Sequence, residues 1–466
     1  MGGNIPNVPE RYDVAIIGAG TGGYSCALRS AELGLRVVLI ERDERLGGTC
    51  LLRGCIPTKA LLRSAEILDD VNRAEEWGIK ASGEPDWSGI EAFQKRTVDK
   101  LVNGVTGLIK ARGVERLRGT ARLASGGRLE VEGDPVDATN VVIATGSSPR
   151  LLPDVPVSEH VITSDQALAA SSIPASAVVI GAGAVGLEFA SFYRSMGAEV
   201  TVLEGMERIA PLEDDDISKE LARAYRKRGI TTQAGVMVSS VEETGDGATV
   251  TYEKGGSVDT VSAEIALVAI GRKPNSEGIG LEEAGVELDR GFVKVNGSMS
   301  TTAENVWAIG DVSATPLQLA HVSFEEGINT AERMAGLDVP EIDYTGIPRV
   351  TYCTPEVASV GLTEAQAKER GHDVDVEKLN FKAIGKADIV GEGGIVKVLA
   401  EKGGGSVLGV HMVGPHVTDL ISEAMLITNW EAVPEEVAAL IHPHPTLSEA
   451  IGEAHLALAG KPLHTM

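Results

Sequence analysis

The feature of this 466-residue chain that most restricts its fold is a strand, glycine turn, helix, strand and acid written twice. The first copy is Tyr12-Asp13-Val14-Ala15-Ile16-Ile17, then Gly18-Ala19-Gly20-Thr21-Gly22-Gly23, a helical stretch, and Arg36-Val37-Val38-Leu39-Ile40-Glu41. The second is Ala177-Val178-Val179-Ile180, then Gly181-Ala182-Gly183-Ala184-Val185-Gly186, a helical stretch, and Glu199-Val200-Thr201-Val202-Leu203-Glu204. In both copies the acid falls 18 residues after the third glycine. A lone glycine turn is a weak signal, but here the β-branched run, the helix and the acid accompany it twice. The glycines let backbone approach a pyrophosphate at a helix N-terminus, and the carboxylate accepts hydrogen bonds from ribose hydroxyls. Two βαβ dinucleotide-binding units are therefore expected, in an α/β fold. Glu204 facing a ribose 2′ position favours NAD over NADP, with Arg208 the nearest cation.

Between the copies lies a helical region, about 56–112, and an alternating stretch that ends in Val141-Val142-Ile143-Ala144-Thr145-Gly146. Ile265 to Gly271 closes the second unit, and Val306-Trp307-Ala308-Ile309-Gly310-Asp311 reads as a strand returning to the first. Beyond residue 346 the pattern changes. Short strands (Arg349 to Tyr352, Val357 to Val360, Ile395 to Ala400, Val407 to Val413) mix with helices at 419–430 and 434–439, which indicates an α+β domain. The expected segments are 1–150, 151–272, 273–345 and 346–466.

The charge balance narrows the partners. With 67 acidic against 42 basic side chains, the net charge of -25 opposes binding to nucleic acid or to an anionic membrane surface. No apolar run reaches the roughly 20 residues of a membrane span. The N-terminal stretch has neither the basic start nor the apolar core of a secretory signal, and Pro6 spoils a myristoylation pattern at Gly2. A cytoplasmic location is expected. Four cysteines are too few for an extracellular disulfide framework.

Two of those cysteines are close neighbours, in Cys50-Leu51-Leu52-Arg53-Gly54-Cys55. In a regular helix, residues so spaced have Cα atoms about 8–9 Å apart and on different faces, whereas a disulfide needs about 5.5–6 Å. A bridge requires a distorted turn, which Gly47, Gly48 and Gly54 permit. A strained pair near a helix N-terminus favours thiolate character and exchange. Cys26 and Cys353 read as inert core thiols.

The segment Gly47-Gly48-Thr49-Cys50-Leu51-Leu52-Arg53-Gly54-Cys55-Ile56-Pro57-Thr58-Lys59 resembles the active site of the pyridine nucleotide–disulfide oxidoreductases. The resemblance extends over the whole chain, to a C-terminal His442-Pro443-His444-Pro445-Thr446-Leu447-Ser448-Glu449. It implies an N-terminal FAD-binding domain, an NAD-binding domain, and a C-terminal domain that forms a homodimer and lends a histidine to the partner subunit. Cys50 would be the interchange thiol and Cys55 the thiolate against the flavin. Lys59 and Glu188 would pair near the flavin N5 edge. FAD would be held by Gly18, Gly20, Thr21, Gly22, Glu41, Arg42, Gly48, Thr49, Ala121, Ala144, Thr145, Gly146, Gly310, Asp311 and the turn Leu319-Ala320-His321. NAD would meet Gly181, Gly183, Gly186, Glu188, Glu204 and Gly271. Residues alone leave His442 and His444 equal; the family pattern selects His444 as acid–base group, with Glu449 orienting it.

Within the family, the Cys50/Cys55 pair, Glu204 and a tail without vicinal cysteines point to oxidation of protein-bound dihydrolipoamide by NAD⁺. A lipoyl-bearing domain or acyltransferase component of a 2-oxoacid dehydrogenase complex is then the partner. The alternatives are an NAD(P)H-dependent reductase of a small disulfide and a flavoprotein that mainly docks or senses redox state. No metal is expected. Leu52-Arg53 and Pro443 depart from the commoner pattern, and Arg53 reads as a solvated side chain.

Overall fold

The computed structural model describes residues 11–124 and 128–464. The segment carrying Gly2 and Pro6, and the tail residues Thr465 and Met466, lie outside these. The chain divides into two compact units, one drawn from 1–60, 91–149 and 272–344, the other from 61–90, 150–271 and 345–466.

The first unit is built on a five-stranded parallel sheet. Its order is Val306–Ala308, Ala138–Ile143, Tyr12–Ile17, Val37–Glu41, Glu115–Arg118. The returning strand Val306–Ala308 pairs with Ala138–Ile143, as its apolar run suggested. Because side chains alternate across a strand, Ala15 and Ile17 enter one core while Val14 and Ile16 enter another. Helices Thr21–Glu32 and Ala320–Met334 share the second face. Their approach is close enough that a Cβ on Gly327 would lie 2.5 Å from the Gly22 carbonyl oxygen.

The second unit holds the second βαβ copy in another five-stranded parallel sheet. The order is Ile230–Ala234, Glu199–Glu204, Ser176–Ile180, Ile265–Val268, Val161–Ile162. It also holds a five-stranded antiparallel sheet in the order Arg349–Thr351, Glu356–Gly361, Val407–Gly414, Ile395–Glu401, Val374–Asn380. Helices Val417–Asn429 and Glu449–Leu458 cover that sheet through Ile421, Ala424, Ile451 and Ala454.

Two details differ from the sequence reading. The helical region 56–112 is interrupted: helix Cys55–Arg73 passes through a 3₁₀ turn at Ala74–Trp77, stops at left-handed Gly78, and helix begins again at Trp87. Pro85 and two glycines in 78–86 offer no helical continuation. The antiparallel sheet also carries an edge strand, Val374–Asn380, whose charged residues concealed it.

Candidate active site

The two dinucleotide turns repeat one another down to single hydrogen bonds. Gly18 and Gly181 have φ of 105° and 104°. A Cβ on either would fall 2.3 Å from a carbonyl oxygen of the adjacent strand end, Ala144 or Ala269. A Cβ on Gly23 or Gly186 would lie 1.9 Å from the oxygen of Gly18 or Gly181, so only glycine lets each helix seat on its strand. Glu41 accepts the Ala19 N–H at 2.8 Å and the Asp43 N–H at 2.9 Å. Glu204 accepts the Ala182 N–H at 2.6 Å and the Met206 N–H at 2.7 Å. Each acid thus closes its own glycine turn, while a carboxylate retains further acceptor sites for a ligand. Gly23 and Ala19, absent from the sequence-based site, belong to this geometry.

The helices that open here are prepared for an anion. Gly20 and Gly183 are the N-caps and provide no side-chain cap, and neither first turn contains an acid. Leu319 likewise starts helix Ala320–Met334 without a side-chain cap. Such helix ends leave N–H groups and positive dipole for a phosphate or carbonyl. Arg208 directs its guanidinium to the Pro211 and Glu213 carbonyls, at 3.3 and 3.4 Å.

In the first unit, Gly48 sits against the first glycine turn. It has φ 56°, and a Cβ there would come 2.6 Å from Gly20 Cα. Ala144 and the left-handed Gly146 follow strand Ala138–Ile143 of this sheet, while Ala121 is buried at the start of strand Ala121–Ala124 in a separate three-stranded sheet. Asp311 accepts the Ser147 hydroxyl at 2.6 Å, and Arg272 donates to that hydroxyl at 2.6 Å, to the Ser147 carbonyl at 2.7 Å and to Thr49 at 3.3 Å. Ser147 and Arg272 had no motif to mark them in sequence. Behind them Glu326, closed to solvent, accepts the Gly310 N–H at 2.6 Å and the Tyr344 hydroxyl at 2.9 Å. Arg42 and His321 are exposed at the rim.

The cysteines lie on two helices rather than one. Gly48–Arg53 ends at Gly54, with φ -148° and ψ -111°, and Cys55–Arg73 begins at once. This break overcomes the spacing problem of a regular helix. The two sulfurs are free thiols in hydrogen-bond contact, and that contact, then burial, pushes Cys50 upward while the Lys59 ammonium works in the opposite direction. Lys59 stands one turn beyond Cys55 on the same helix. Burial, followed by the charge of the two cysteines, pushes the neighbouring Tyr24 phenol up to about 12. Arg53 is paired with Asp43 at the surface. Cys26 and Cys353 are buried, and burial pushes both thiols up to about 12.

In the second unit, Glu188 is buried on helix Ala184–Ser195 and accepts the Tyr352 N–H at 3.0 Å. Gly271 (φ 109°) lies between the sheet strand Ile265–Val268 and the short strand Arg272–Pro274. His444 Nδ1 lies 2.8 Å from Glu449, whose other oxygen accepts the Thr446 N–H at 2.8 Å. Burial works to raise the Glu449 carboxyl, but the Thr446 N–H and the His444 ring together hold it below its ordinary value. The His444 side chain is 77% exposed. His442 has a carboxylate of its own, Glu423, at 2.6 Å.

Residues 12–327 match the pyridine nucleotide-disulphide oxidoreductase family, and 347–455 match the dimerisation domain of the same family. The chain belongs to the pyridine nucleotide-disulphide oxidoreductases, a class of flavoprotein enzyme that uses FAD and NAD. Among its relatives is a dihydrolipoyl dehydrogenase of Bacillus subtilis, 45% identical, covering 97% of this chain and 99% of the relative. One from Thermus scotoductus is 43% identical, covering 98% and 99%. The mitochondrial dihydrolipoyl dehydrogenase of Pisum sativum is 40% identical, covering 98% and 93%. Among solved structures, LpdA of Mycobacterium tuberculosis superposes with a TM-score of 0.88 at 28% identity, covering 96% of this chain and 99% of that one. The Cu(II) complex of the HOCl-induced disulfide reductase RclA from Escherichia coli gives 0.86 at 26%, covering 96% and 99%. Among the described residues, no helix is long and apolar enough to cross a membrane.

Proposed function

We propose that this chain oxidises protein-bound dihydrolipoamide to lipoamide with NAD⁺ as acceptor. The observation that carries the reading is the Cys50–Cys55 thiol contact across the break at Gly54, in a chain whose full-length relatives are dihydrolipoyl dehydrogenases. FAD would sit on the first glycine turn, Gly48, Asp311 and the Leu319 helix end, and supplies a two-electron carrier between the thiols and NAD⁺.

The protein's own groups do the sulfur chemistry. Starting from the Cys50–Cys55 disulfide, one substrate thiolate bonds to the Cys50 sulfur and releases Cys55 as thiolate. The second substrate sulfur then attacks the first, closes the lipoyl disulfide and releases the Cys50 thiolate. Two electrons now reside on the cysteine pair, and the two substrate protons have left. His444 takes one of those protons as general base while the other passes to solvent, and Glu449 steadies the imidazolium. Glu204 selects NAD⁺, since its carboxylate opposes a 2′-phosphate and Arg208 is engaged by backbone carbonyls. The active form is a homodimer, in which His444 serves the partner subunit. Lys59 and Glu188 would serve the flavin's hydride exchange, and the acidic surface docks the basic module of an acyltransferase core in the cytoplasm.

The test is an anaerobic titration of the holoenzyme with dihydrolipoamide, followed by absorbance. A long-wavelength charge-transfer band that NAD⁺ discharges, with NADH appearing, is the expected result. A flavin spectrum untouched by dihydrolipoamide but altered by NADH would overturn the substrate and leave reduction of a small disulfide.

A further inference from the structure

The segment from His442 to Glu449 is tied at both ends to helix Glu449–Leu458, with the exposed His444 between the ties. At the downstream end, Glu449 accepts the Thr446 N–H, and the Thr446 hydroxyl donates to the Pro443 carbonyl at 2.7 Å. At the upstream end, the His442 ring lies against Gly452 so closely that a Cβ there would be 2.6 Å from Nδ1. Gly452 is one turn along from Glu449 and on the same face. The other ring nitrogen of His442 is 2.6 Å from Glu423, on helix Val417–Asn429, and the side chain is only 12% exposed.

We infer that His442, gripped by Glu423 and seated on Gly452, is the positioning residue that keeps His444 aimed and paired with Glu449. The inference rests on the acid–base role proposed for His444. A half-buried imidazole with its own carboxylate and a glycine-made seat is a built feature, and the mechanism leaves it without a proton to move. The groups facing it are Glu423 from one helix, Glu449 and His455 from the other, and the Leu440 carbonyl. The Glu423 hydrogen bond, against the opposing effect of burial, raises His442 above its usual range. The Glu423 carboxylate thus favours the charged form of the ring, and a charge-assisted hydrogen bond is stronger than a neutral one. Within its own subunit His444 has no comparable enclosure. An exposed general base loses rate when its orientation is lost, because proton transfer needs hydrogen-bond geometry at the moment of attack.

The experiment compares the holoenzyme with His442→Ala, His442→Gln and Gly452→Ala in dihydrolipoamide oxidation, alongside crystal structures of the variants. His442→Ala should lower kcat by about tenfold or more with little change in KM. His442→Gln, whose amide donates to the same Glu423 oxygen, should recover most of it. Gly452→Ala, which displaces the ring without removing it, should behave like His442→Ala. An alanine variant with wild-type kcat, or a glutamine variant no better than alanine, overturns the inference. Wild-type protein inert toward dihydrolipoamide would overturn the functional reading alone. The crystal structure of His442→Ala then decides, and a His444–Glu449 pair still at hydrogen-bond distance would refute the anchor.

Discussion

Lys397 places its ammonium 2.8 Å from the Asp214 carboxylate where the two side chains are 1% and 2% exposed. Asp216 and Glu364 complete the cage at 2.7 Å each. The lysine sits on strand Ile395–Glu401, and Asp214 caps helix Asp215–Lys227 by accepting the Asp216 N–H at 3.0 Å. A buried cluster of this kind owes its existence to full satisfaction, and removing its central cation strands the buried Asp214. Lys397→Met is expected to cost about 3–5 kcal/mol, although Asp216 keeps Lys378 and Glu364 keeps Lys368. Asp214→Asn leaves Lys397 with Asp216 and Glu364 and should cost less, about 1–3 kcal/mol, whereas Lys397→Met with Asp214→Leu should recover much of the Lys397→Met loss. Denaturant unfolding of the four proteins checks the pattern.

The same cage sets an acid limit. Burial acts to raise Asp214 and Asp216, but the Lys397 hydrogen bonds and charge outweigh it and leave both below the ordinary carboxylate value. Glu364 is lowered too, by Lys368 first and Lys397 next. Groups with depressed folded values stabilise the fold above their unfolded values and lose that contribution as pH falls through the folded ones. Thermal midpoints should therefore drop below about pH 4, and the drop should be shallower in Lys397→Met than in the wild type.

Glu326 is expected to show the opposite sign. Burial raises it above the usual carboxylate value, against the Gly310 N–H and the Tyr344 and Thr315 hydroxyls that favour its charged form. A raised acid contributes stability at low pH that disappears as pH rises through its folded value. Glu326→Gln keeps one oxygen for Gly310 and turns an amide N–H toward the Tyr344 oxygen. The difference in melting temperature should move in the variant's favour from pH 5 to pH 8. A constant difference across that range would show that Glu326 does not titrate there.

Gly48→Ala should lose FAD. Left-handed backbone costs a side chain about 1–2 kcal/mol, and the new Cβ would stand 2.6 Å from Gly20 Cα, where only backbone can give way. Flavin released on dilution, read by fluorescence, should rise at least about tenfold in the variant.

Glu204→Gln tests nucleotide choice. It keeps an acceptor for one of the Ala182 and Met206 amides, turns an amide N–H toward the other, and removes the charge. The KM for NADH should rise about tenfold, and the preference for NADH over NADPH should narrow. An unchanged ratio would remove Glu204 from specificity.

Much of the frame was legible because the βαβ unit couples a local pattern to one tertiary solution. Val14 to Ile17 can only be a buried strand, and Gly18, Gly23 and Glu41 sit at distances set by the turn itself. The reading failed where long-range packing decides burial. Glu326 lies in Phe324-Glu325-Glu326, which looks like a solvated helix face, yet one of its two acids is enclosed beside Gly310. Lys397 breaks an apolar strand, and nothing local predicts three carboxylates from elsewhere in the chain. Arg272 follows a strand without a motif, so its hydrogen bonds to Ser147 and Thr49 had no local signature.

The break at Gly54 sets the two thiols beside one another without a covalent link to hold them there. In the proposed cycle, the pair would open and close on a backbone that already keeps its halves together, so reduction need not scatter them.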